Sequence, residues 1–532
     1  MKSGGKDCQW AGIVDQQNRK SCVSVWTMSA LLVFALIGRM KAEDSPREPN
    51  PEHFPTHEWL TSAPESQGMD SQTLADALDF IRAQKVGIHS LLIVRNGRIV
   101  LDSYFFPFQV SELHDIASVT KSITATLVGM AIAQHKIGDV HQTLLSFFAD
   151  RRVANRNPWK EQITIEHLLT MTSGLDCRIE PPNEITLNEM TQSRDWIQFM
   201  LNLPMADEPG SRFVYCSGGM HLLSGIVSRA TGLSELEFAR TQLFEPLGIR
   251  QVIWPSDSDG VTHGWGDLYM QPRDMAKIGY LWLNQGRWGD RQIVPSEWIG
   301  ESTKVHSRPA QGRGYGYGIW IYPDRNPPVY GGLGRGGQRI SILPNKNLVA
   351  VFTGGTFDPD EIGGFIVRAI KSDAALPDNS AGVARLNAAV LGAAQPPSTQ
   401  AIHPCPSIGK TISGQRFILD TNPFGLKSLT LYFPEGSEAL LRSEFTDGRT
   451  EERPIGLDGV PRRSADGRFG LPVAISGSWI DDNTFAFDYD EIASINLYYC
   501  RLSFSGTTVS ILAGEKSGRP LTTTFTGRLI PE

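Results

Sequence analysis

The segment that most constrains the fold is a stretch of small and apolar residues at positions 123–132. It reads Ile-Thr-Ala-Thr-Leu-Val-Gly-Met-Ala-Ile and contains no charge, which predicts a helix that is buried on most of its sides. Such a helix needs a large core around it. With 532 residues, of which 40% are apolar, the chain is long enough for more than one core.

Ser118 and Lys121 lie at the start of this predicted helix, three positions apart. Residues at i and i+3 share a helix face, so the lysine amine can lie beside the serine oxygen and take its proton. Ser-x-x-Lys also occurs by chance, and a serine N-cap without chemistry is the simpler alternative. That alternative gives no reason for a lysine in a buried helix, so we predict a nucleophile and its base.

Residues 57–383 have the pattern of an α+β fold. Helical periodicity at 71–85 is followed by strand-like segments at 90–95 and 98–104, joined by an Asn96-Gly97 turn that predicts a hairpin. Further strand-like segments occur at 317–322, 339–343 and 348–352, with helices and loops in between. Strands at both ends of a helical region predict one sheet assembled from distant parts of the chain.

The pattern changes after an alanine-rich segment at 384–400, which ends near Pro396-Pro397 and which we interpret as a linker. Residues 401–532 contain short, closely spaced strand patterns that predict an all-β module, either a small barrel or a sandwich. This module carries no catalytic motif, so its predicted role is to pack against or shape the first domain at 57–383.

The first 42 residues are predicted to be an export segment. Arg19 and Lys20 precede an apolar stretch at 23–38, and an acidic, proline-rich segment at 43–56 follows as a linker. The length of the stretch fits either a cleaved signal peptide or a retained inner-membrane anchor. We therefore predict an exported protein, periplasmic or secreted, with membrane association through 23–38 as the alternative.

Charge and cysteine content exclude some classes of partner. The net charge of −7 and the absence of a basic cluster argue against a nucleic-acid surface. None of the six cysteines shows metal-ligand spacing, so no metal is predicted. Cys177 and Cys216 fall near candidate site segments, whereas Cys405 and Cys500 in the C-terminal part would be able to pair in an exported protein, a question that the sequence leaves open.

A serine–lysine pair needs a further group that passes a proton to the leaving atom of the substrate. Tyr215 is the candidate, because it lies in an extended piece between the Pro209-Gly210 turn and a predicted helix at 220–230. A tyrosine that ends such a loop can point into a cleft. A core or surface tyrosine without chemistry is the ordinary alternative for this residue taken alone.

Taken in order, five segments resemble the penicillin-recognising serine hydrolase superfamily over residues 57–375. They begin at Ala117, Ile163, Phe213, Leu243 and Gly334 and read Ala-Ser-Val-Thr-Lys-Ser, Ile-Thr-Ile-Glu-His-Leu-Leu-Thr-Met-Thr-Ser-Gly-Leu, Phe-Val-Tyr-Cys-Ser, Leu-Phe-Glu-Pro-Leu-Gly-Ile and Gly-Arg-Gly-Gly-Gln. Within the superfamily the chain is most similar to the class C-type branch and its 6-aminohexanoate-dimer hydrolase and carboxylesterase group. The resemblance implies a β-lactamase-like domain, an antiparallel sheet flanked by helices with an all-helical part, and no cofactor.

The same resemblance implies roles for individual residues. Ser118 would be acylated, Lys121 would accept its proton, and Tyr215 would relay a proton to the leaving group. The backbone amides of Ser118 and Arg335 would form the oxyanion hole. Four further residues are candidates for substrate binding: Ser217, Asp176, His263 and Gln338.

Two departures from the β-lactamase pattern bear on the substrate. The usual Tyr-x-Asn is Tyr215-Cys-Ser217 here, and Gly332-Leu-Gly334 replaces the usual Lys-Thr-Gly. The missing lysine removes a cation that would hold a substrate carboxylate, so we expect cleavage of a small-molecule ester or amide. A penicillin-binding DD-peptidase or β-lactamase, and a non-catalytic binding protein on the same fold, are the alternatives.

Overall fold

The computed structural model describes residues 54–181, 183–309, 312–465, 467–517 and 522–529. The predicted export segment at 1–42, its apolar stretch at 23–38 and most of the predicted linker at 43–56 lie outside the described residues. In the part of the chain that the structure describes, no helix is both long enough and apolar enough to cross a bilayer.

The described residues form the following helices and strands, numbered in chain order. The helices are α1 (Ser71–Gln84), α2 (Val119–Ala133), α3 (Pro158–Glu161), α4 (Ile165–Leu169), α5 (Ile185–Gln192), α6 (Trp196–Asn202), α7 (Ser217–Thr231), α8 (Glu235–Ala239), α9 (Pro272–Leu283), α10 (Ser296–Ser302), α11 (Pro359–Ala369), α12 (Ser380–Ala393) and α13 (Ser407–Ile412). The strands of the first domain are β1 (Ile88–Arg95), β2 (Arg98–Tyr104), β3 (His114–Asp115), β4 (Ile179–Glu180), β5 (Asn183–Glu184), β6 (Val252–Ile253), β7 (Tyr269–Met270), β8 (Arg287–Trp288), β9 (Arg291–Gln292), β10 (Gly314–Tyr315), β11 (Trp320–Tyr322), β12 (Val329–Leu333), β13 (Arg339–Leu343) and β14 (Leu348–Gly354). Those of the C-terminal module are β15 (Arg416–Leu419), β16 (Leu426–Tyr432), β17 (Glu438–Phe445), β18 (Thr450–Gly456), β19 (Arg462–Ser464), β20 (Val473–Trp479), β21 (Thr484–Asp490), β22 (Leu497–Ser505), β23 (Thr508–Glu515) and β24 (Thr522–Leu529).

The first domain is built on a seven-stranded antiparallel sheet in the order β10-β11-β12-β13-β14-β1-β2. The strand from the N-terminal side, β1, pairs with β14 from the C-terminal side, so the sheet joins distant parts of the chain. The predicted hairpins at Asn96-Gly97 and between β13 and β14 are both present. The predicted α+β architecture is confirmed.

Alternation along β1 divides the core into two layers. Leu91 and Ile93 pack with α1, α11 and α12 on one face of the sheet. Leu92 and Val94 belong to a larger cluster on the other face, which contains α2, α7 and α9. Because successive strand residues point to opposite faces, a single apolar strand supports both layers.

Helix α2 lies in the centre of the larger layer, and every residue from Val119 to Ala131 is buried. This confirms the prediction from its uncharged sequence. The segment buries a lysine as well, since the side chain of Lys121 is on the same helix and is only 2% exposed. A charge placed there must be compensated by polar partners or lose its proton.

The linker predicted at 384–400 is corrected for its first part. Residues 384–393 belong to α12, where Leu386, Ala389 and Ala393 are buried against α1. Alanine is the strongest helix former, and these buried positions recur at helical spacing, so the alanine-rich composition here forms a packed helix. At the other end of the domain, Phe54 falls in the predicted 43–56 linker yet packs against Tyr280 and Trp288.

The C-terminal module is a closed barrel of nine strands. They follow the order β18-β17-β16-β15-β24-β23-β22-β21-β20, and a parallel pairing between Gly456 and Ser476 closes the ring; β19 is added beside β20. The small all-β barrel predicted from the spacing of its strands is therefore present, and the alternative of a sandwich is not.

The barrel contacts the first domain beside the start of α2. The backbone amide of Asp115 donates to the carbonyl of Ala493, 2.8 Å away. Arg463 of the barrel forms an ion pair with Glu112. Residues shortly before the predicted nucleophile are thus held by the C-terminal module.

Candidate active site

Ser118 occupies the N-cap position of α2, at the end of a short irregular segment. One carboxylate oxygen of Asp115 accepts a hydrogen bond of 2.7 Å from the backbone amide of Ala117. Ala117 has a φ of +48°, a left-handed conformation that a side chain rarely adopts and that is common at functional sites. This geometry places the Ser118 hydroxyl at the positive end of the helix dipole, which stabilises a developing negative charge.

The Lys121 amine lies directly beside this hydroxyl. Its Nζ is 2.7 Å from Ser118 Oγ and 2.7 Å from the carbonyl oxygen of Trp265. Burial lowers the pKa of Lys121 to about 8, although the negative charges of Glu184 and Asp267 act in the opposite direction. A buried amine with this pKa is neutral in part of the population at pH 7, which a proton acceptor requires.

Tyr215 completes the group that the sequence predicts. Its ring centroid is 5.0 Å from Lys121 Nζ, and Trp320 stacks on the ring with centroids 6.2 Å apart. Burial raises the pKa of Tyr215 well above its usual value, the charge of Glu184 adds to the rise, and hydrogen bonding with Ser118 opposes it. The phenol therefore keeps its proton at neutral pH and is able to donate it.

Ser118 and Tyr215 border one cavity of about 1100 Å³, and Lys121 contacts it through Ser118. Ser118 and Tyr215 line it together with residues from several elements of the first domain and from the barrel, among them Asp115, Glu184, Trp265, Asp267, Trp320, Leu333, Arg335, Arg468, Ser494, Ile495, Asn496 and Ser517. The lining is rich in charged side chains of both signs. Because the cavity lies between the two parts of the chain, neither part encloses it alone.

The turn that carries Arg335 lies against the start of α2. A Cβ built on Gly334 would be 2.6 Å from the carbonyl oxygen of Ile116 and 3.0 Å from the Ala117 Cβ, so only glycine permits this approach. Arg335 lines the cavity with Ser118, which is the location that the oxyanion assignment needs. Its guanidinium is directed to the barrel, at 3.3 Å from Glu515 Oε1 and 3.0 Å from Asn496 Oδ1.

Ser217 and Asp176, two of the four predicted substrate-binding residues, do not line the cavity. Ser217 is the first residue of α7 and is 2% exposed; its hydroxyl makes no hydrogen bond within the described residues. Asp176 is anchored by its own backbone amide, which donates to the carbonyl of Pro204. Sequence proximity to Tyr215 and to the Thr-Ser-Gly turn did not determine where these side chains point.

His263 lies behind the cavity wall. Its Nδ1 is 2.8 Å from Asp267 Oδ2, and its ring stacks on Trp265 with centroids 5.6 Å apart. The glycine loop that the sequence placed at the cleft does edge it, through Trp265, Gly266 and Asp267. The prediction was therefore right for the loop and wrong for the histidine, which supports the wall.

Gln338, the fourth candidate, is 1% exposed, and its side chain forms hydrogen bonds with the backbone. Its amide nitrogen donates to the carbonyl of Gly354, and its Oε1 accepts a hydrogen bond of 3.0 Å from the Gly354 amide. A second donation reaches the carbonyl of Arg335. Gln338 thus fixes the turn that carries Arg335 to strand β14, and the prediction of substrate contact is corrected.

Two carboxylates near Ser118, those of Asp115 and Asp267, were not predicted from the sequence. Burial and the charge of Asp267 raise the pKa of Asp115 to about 7, while Arg335 and Arg468 act in the opposite direction. Asp115 lies three positions before Ser118, so its proximity was readable from the sequence. The approach of Asp267 was not, because it depends on how a distant loop packs.

The disulfide was also missed. Cys177 and Cys216 are joined, with Cα atoms 5.7 Å apart, and the bond fixes the residue next to Tyr215. Cys405 and Cys500, whose pairing the sequence left open, are free thiols. The only available signal was the position of Cys177 and Cys216 near candidate site segments.

Within the described ranges, no group of three or more His, Cys, Asp or Glu side chains is arranged to hold a metal ion. The acidic residues around the cavity interact with one another, with Arg335 and Arg468, and with Lys121. Their arrangement suits acid–base chemistry by side chains.

Comparison with known proteins identifies the first domain. The family model described as Beta-lactamase matches residues 74–371. The 6-aminohexanoate-dimer hydrolase of Paenarthrobacter ureafaciens is 23% identical over 301 residues, which are 52% of this chain and 75% of that protein. A family VIII carboxylesterase structure is 17% identical with a TM-score of 0.46, covering 63% of this chain and 98% of that one. The octameric penicillin-binding protein homologue from Pyrococcus abyssi is 17% identical with a TM-score of 0.45, covering 86% of this chain and 99% of that one.

The family match spans more than half of the chain, from α1 to the end of α11, and includes the Ser-x-x-Lys segment and all seven strands of the central sheet. It confirms the resemblance that the ordered motifs indicated. The chain belongs to the Beta-lactamase family, the serine hydrolases that carry this fold.

Proposed function

We propose that this protein is a serine hydrolase that cleaves a small-molecule ester or amide through an acyl-enzyme on Ser118. The observation that carries the proposal is the distance of 2.7 Å between Lys121 Nζ and Ser118 Oγ in a buried position. A lysine whose pKa burial lowers to about 8 is a competent acceptor for the serine proton.

In the first step Lys121 Nζ takes the proton from Ser118 Oγ as the oxygen attacks the carbonyl carbon of the substrate. The carbonyl of Trp265 accepts one N–H of the amine, which orients the remaining lone pair towards Ser118. The backbone amides of Ser118 and Arg335 stabilise the tetrahedral oxyanion. This assignment is supported by the location of both residues at the cavity.

In the second step the bond to the leaving group breaks. The protonated Lys121 passes its proton to Tyr215, whose phenol donates to the leaving oxygen or nitrogen. The position of Lys121 Nζ over the Tyr215 ring, 5.0 Å from its centroid, supports this transfer. Water then attacks the acyl carbonyl by the same route in reverse, which releases the acid and restores the Ser118 hydroxyl.

Substrate preference is supported by the position that a lysine occupies in β-lactamases. A Cβ on Gly332 would be 2.9 Å from Val119 Cγ1 and 3.1 Å from Ser122 Oγ, so a lysine there would displace the side chains of Val119 and Ser122. A cation for a substrate carboxylate is therefore missing at this position. We propose an ester or an amide without a carboxylate next to the scissile bond.

The proposal is tested by labelling the purified protein with a fluorophosphonate and by measuring turnover of p-nitrophenyl esters. We expect one label, on the peptide that contains Ser118, and loss of both activities in Ser118→Ala. Ser122→Ala, one turn further along α2 and bonded to the carbonyl of Gly318, should retain both. Turnover that survives Ser118→Ala would refute the proposal.

A fluorescent penicillin separates the two alternatives. Stable acylation of Ser118 by the penicillin would favour a penicillin-binding DD-peptidase or β-lactamase. A folded protein that reacts with no acylating probe would favour a binding protein.

We also propose that the protein is exported. The apolar stretch at 23–38 supports export, and so does the disulfide between Cys177 and Cys216, since such bonds persist in oxidising compartments. Cell fractionation and N-terminal sequencing of the native protein test this. Cytoplasmic protein with reduced Cys177 would contradict it.

A further inference from the structure

The barrel contains a second cavity of about 250 Å³ inside its ring of strands. We call this cavity the lumen. Its lining residues alternate along each strand, as in Leu441, Ser443 and Phe445 of β17 or Tyr498, Cys500 and Leu502 of β22. This period of two shows that they are the inward-facing positions of the barrel.

The two ends of the barrel are filled differently. One end is packed solid by large side chains that are at most 5% exposed: Phe417, Ile455, Ile475, Trp479, Phe485 and Phe504. At the other end Phe424, Leu426, Phe445, Tyr498 and Cys500 line the lumen and remain only partly buried. The barrel interior is therefore packed at one end, whereas at the other end apolar side chains line an unfilled cavity.

The lumen has an apolar and a polar part. The apolar part is lined by Leu429, Leu441, Phe487, Leu502, Ile511 and Phe525, and the polar part by Glu451, Arg453, Tyr489, Glu491 and Tyr498. Arg453 is already paired with Glu451 at 2.8 Å and lies over the ring of Tyr489, so the polar part does not present an isolated cation. An apolar cavity with a few grouped polar side chains is the ordinary form of a small-molecule site.

We propose that the lumen binds an uncharged, mostly apolar molecule with a hydroxyl or similar hydrogen-bonding end, such as a medium-chain or aromatic alcohol. A cavity of about 150 Å³ holds benzene, so the lumen accommodates roughly ten non-hydrogen atoms. The apolar body lies among the leucine and phenylalanine side chains, and the polar end lies near Tyr498 and Glu491. Binding needs no residue of the hydrolase site.

The lumen lies next to the hydrolase cavity without merging with it. Residues 491–496 connect β21 to β22: Glu491 lines the lumen, whereas Ser494, Ile495 and Asn496 line the hydrolase cavity. Asn496 also donates to Glu491 at 2.9 Å, so one loop forms the wall between the two. The proposed ligand would therefore contact the back of a wall of the hydrolase cavity.

The test is a ligand-observed ¹⁹F NMR titration of the full-length protein with 4-fluorobenzyl alcohol, with 1-octanol as competitor. We expect saturable binding that 1-octanol displaces. Ala513→Phe fills the lumen from β23 and should weaken binding at least tenfold, whereas Ser510→Phe, exposed on the same strand, should leave it unchanged. Thermal unfolding checks that each variant is folded, and Ser443→Phe fills the lumen from β17 if Ala513→Phe does not fold.

Two arms distinguish the lumen from the hydrolase cavity. Ser118→Ala, and wild-type protein acylated on Ser118, should bind the probe as the unmodified protein does. Loss of binding after acylation would place the probe in the hydrolase cavity and overturn the proposal. Absence of saturable binding, or unchanged binding in both filled variants, would overturn it equally.

Discussion

The two cavities of this protein differ in what encloses them and in what they contain. The hydrolase cavity is lined by charged groups from both parts of the chain, whereas the lumen is lined mainly by apolar side chains of one closed sheet. The first is built to change the protonation of its groups, since burial shifts the pKa values of Lys121 and Asp115 towards neutrality. The second offers desolvated apolar surface, which favours binding without reaction.

Replacing Lys121, the proposed proton acceptor, should give the largest difference between the two cavities. Hydrolysis should be lost, while ligand binding in the lumen should not change. Lys121→Met keeps the length of the side chain and removes the amine, so we expect kcat/KM for an ester substrate to fall by about 10³-fold, within the usual range for a general base. Titration of 4-fluorobenzyl alcohol should be unchanged. A loss of both would show that α2 has shifted and that the variant does not isolate the chemistry.

Below pH 8, kcat/KM for an ester substrate should fall by about tenfold for each unit by which the pH is lowered. Lys121 must be neutral to accept a proton, and because its pKa is lowered to about 8, kcat/KM should rise with pH up to about 8 and then level. Asp115, with a pKa near 7, also titrates in this range. Asp115→Asn removes its ionisation, and the limb near pH 8 should persist in that variant; a flat profile there would contradict the role of Lys121.

Breaking the ion pair between Glu515 of the barrel and Arg335 should lower kcat by a moderate amount. Glu515 is a positioning residue, since its carboxylate holds the Arg335 guanidinium and it is not among the residues that line the hydrolase cavity. We expect Glu515→Gln to lower kcat by about fivefold to tenfold with little change in KM, because a displaced oxyanion donor weakens mainly the transition state.

The matched control for that variant is Asp488→Asn, which breaks the exposed pair with Lys516 on the same barrel. Exposed pairs of this kind contribute little, so its kcat should be unchanged. Equal effects of the two substitutions would mean that the barrel acts through its general stability.

The smallest effect is expected at the polar end of the lumen. Tyr498→Phe removes one hydroxyl, so binding of 1-octanol should weaken by about twofold to fivefold, the value of one ordinary hydrogen bond, while binding of fluorobenzene should not change. Calorimetric titration measures both. Equal weakening of the two ligands would show that the tyrosine contributes packing alone.

Local features of this chain were predictable because their causes are local. Three such features depend on residues a few positions apart: the spacing of Ser118 and Lys121 on one helix, the turn at Asn96-Gly97 and the uncharged segment of α2. The ordered motifs extended the prediction to Tyr215, which the structure places at the same cavity. Helix α12 was missed because alanine suits a linker and a packed helix alike, and only the contact with α1 decides between them.

Residues whose roles depend on long-range packing were mispredicted or missed. The sequence made His263 and Gln338 candidates for substrate binding. In the structure their side chains stabilise the loop and the turn behind the cavity. Asp267 reaches Asp115 only because its loop folds over the start of α2. No periodicity or spacing encodes such an approach.

By itself the sequence determined the Ser-x-x-Lys segment, its helix, the two-part organisation and the family, since each is specified by patterns within short windows or by their order. The tertiary structure alone decided that the barrel supplies one wall of the hydrolase cavity, that Glu515 and Asn496 hold Arg335, and that the strands of the barrel enclose a second cavity. The physical reason is that cavities and buried charges arise between surfaces that are far apart in the chain. Their shape and electrostatics exist only once those surfaces have packed.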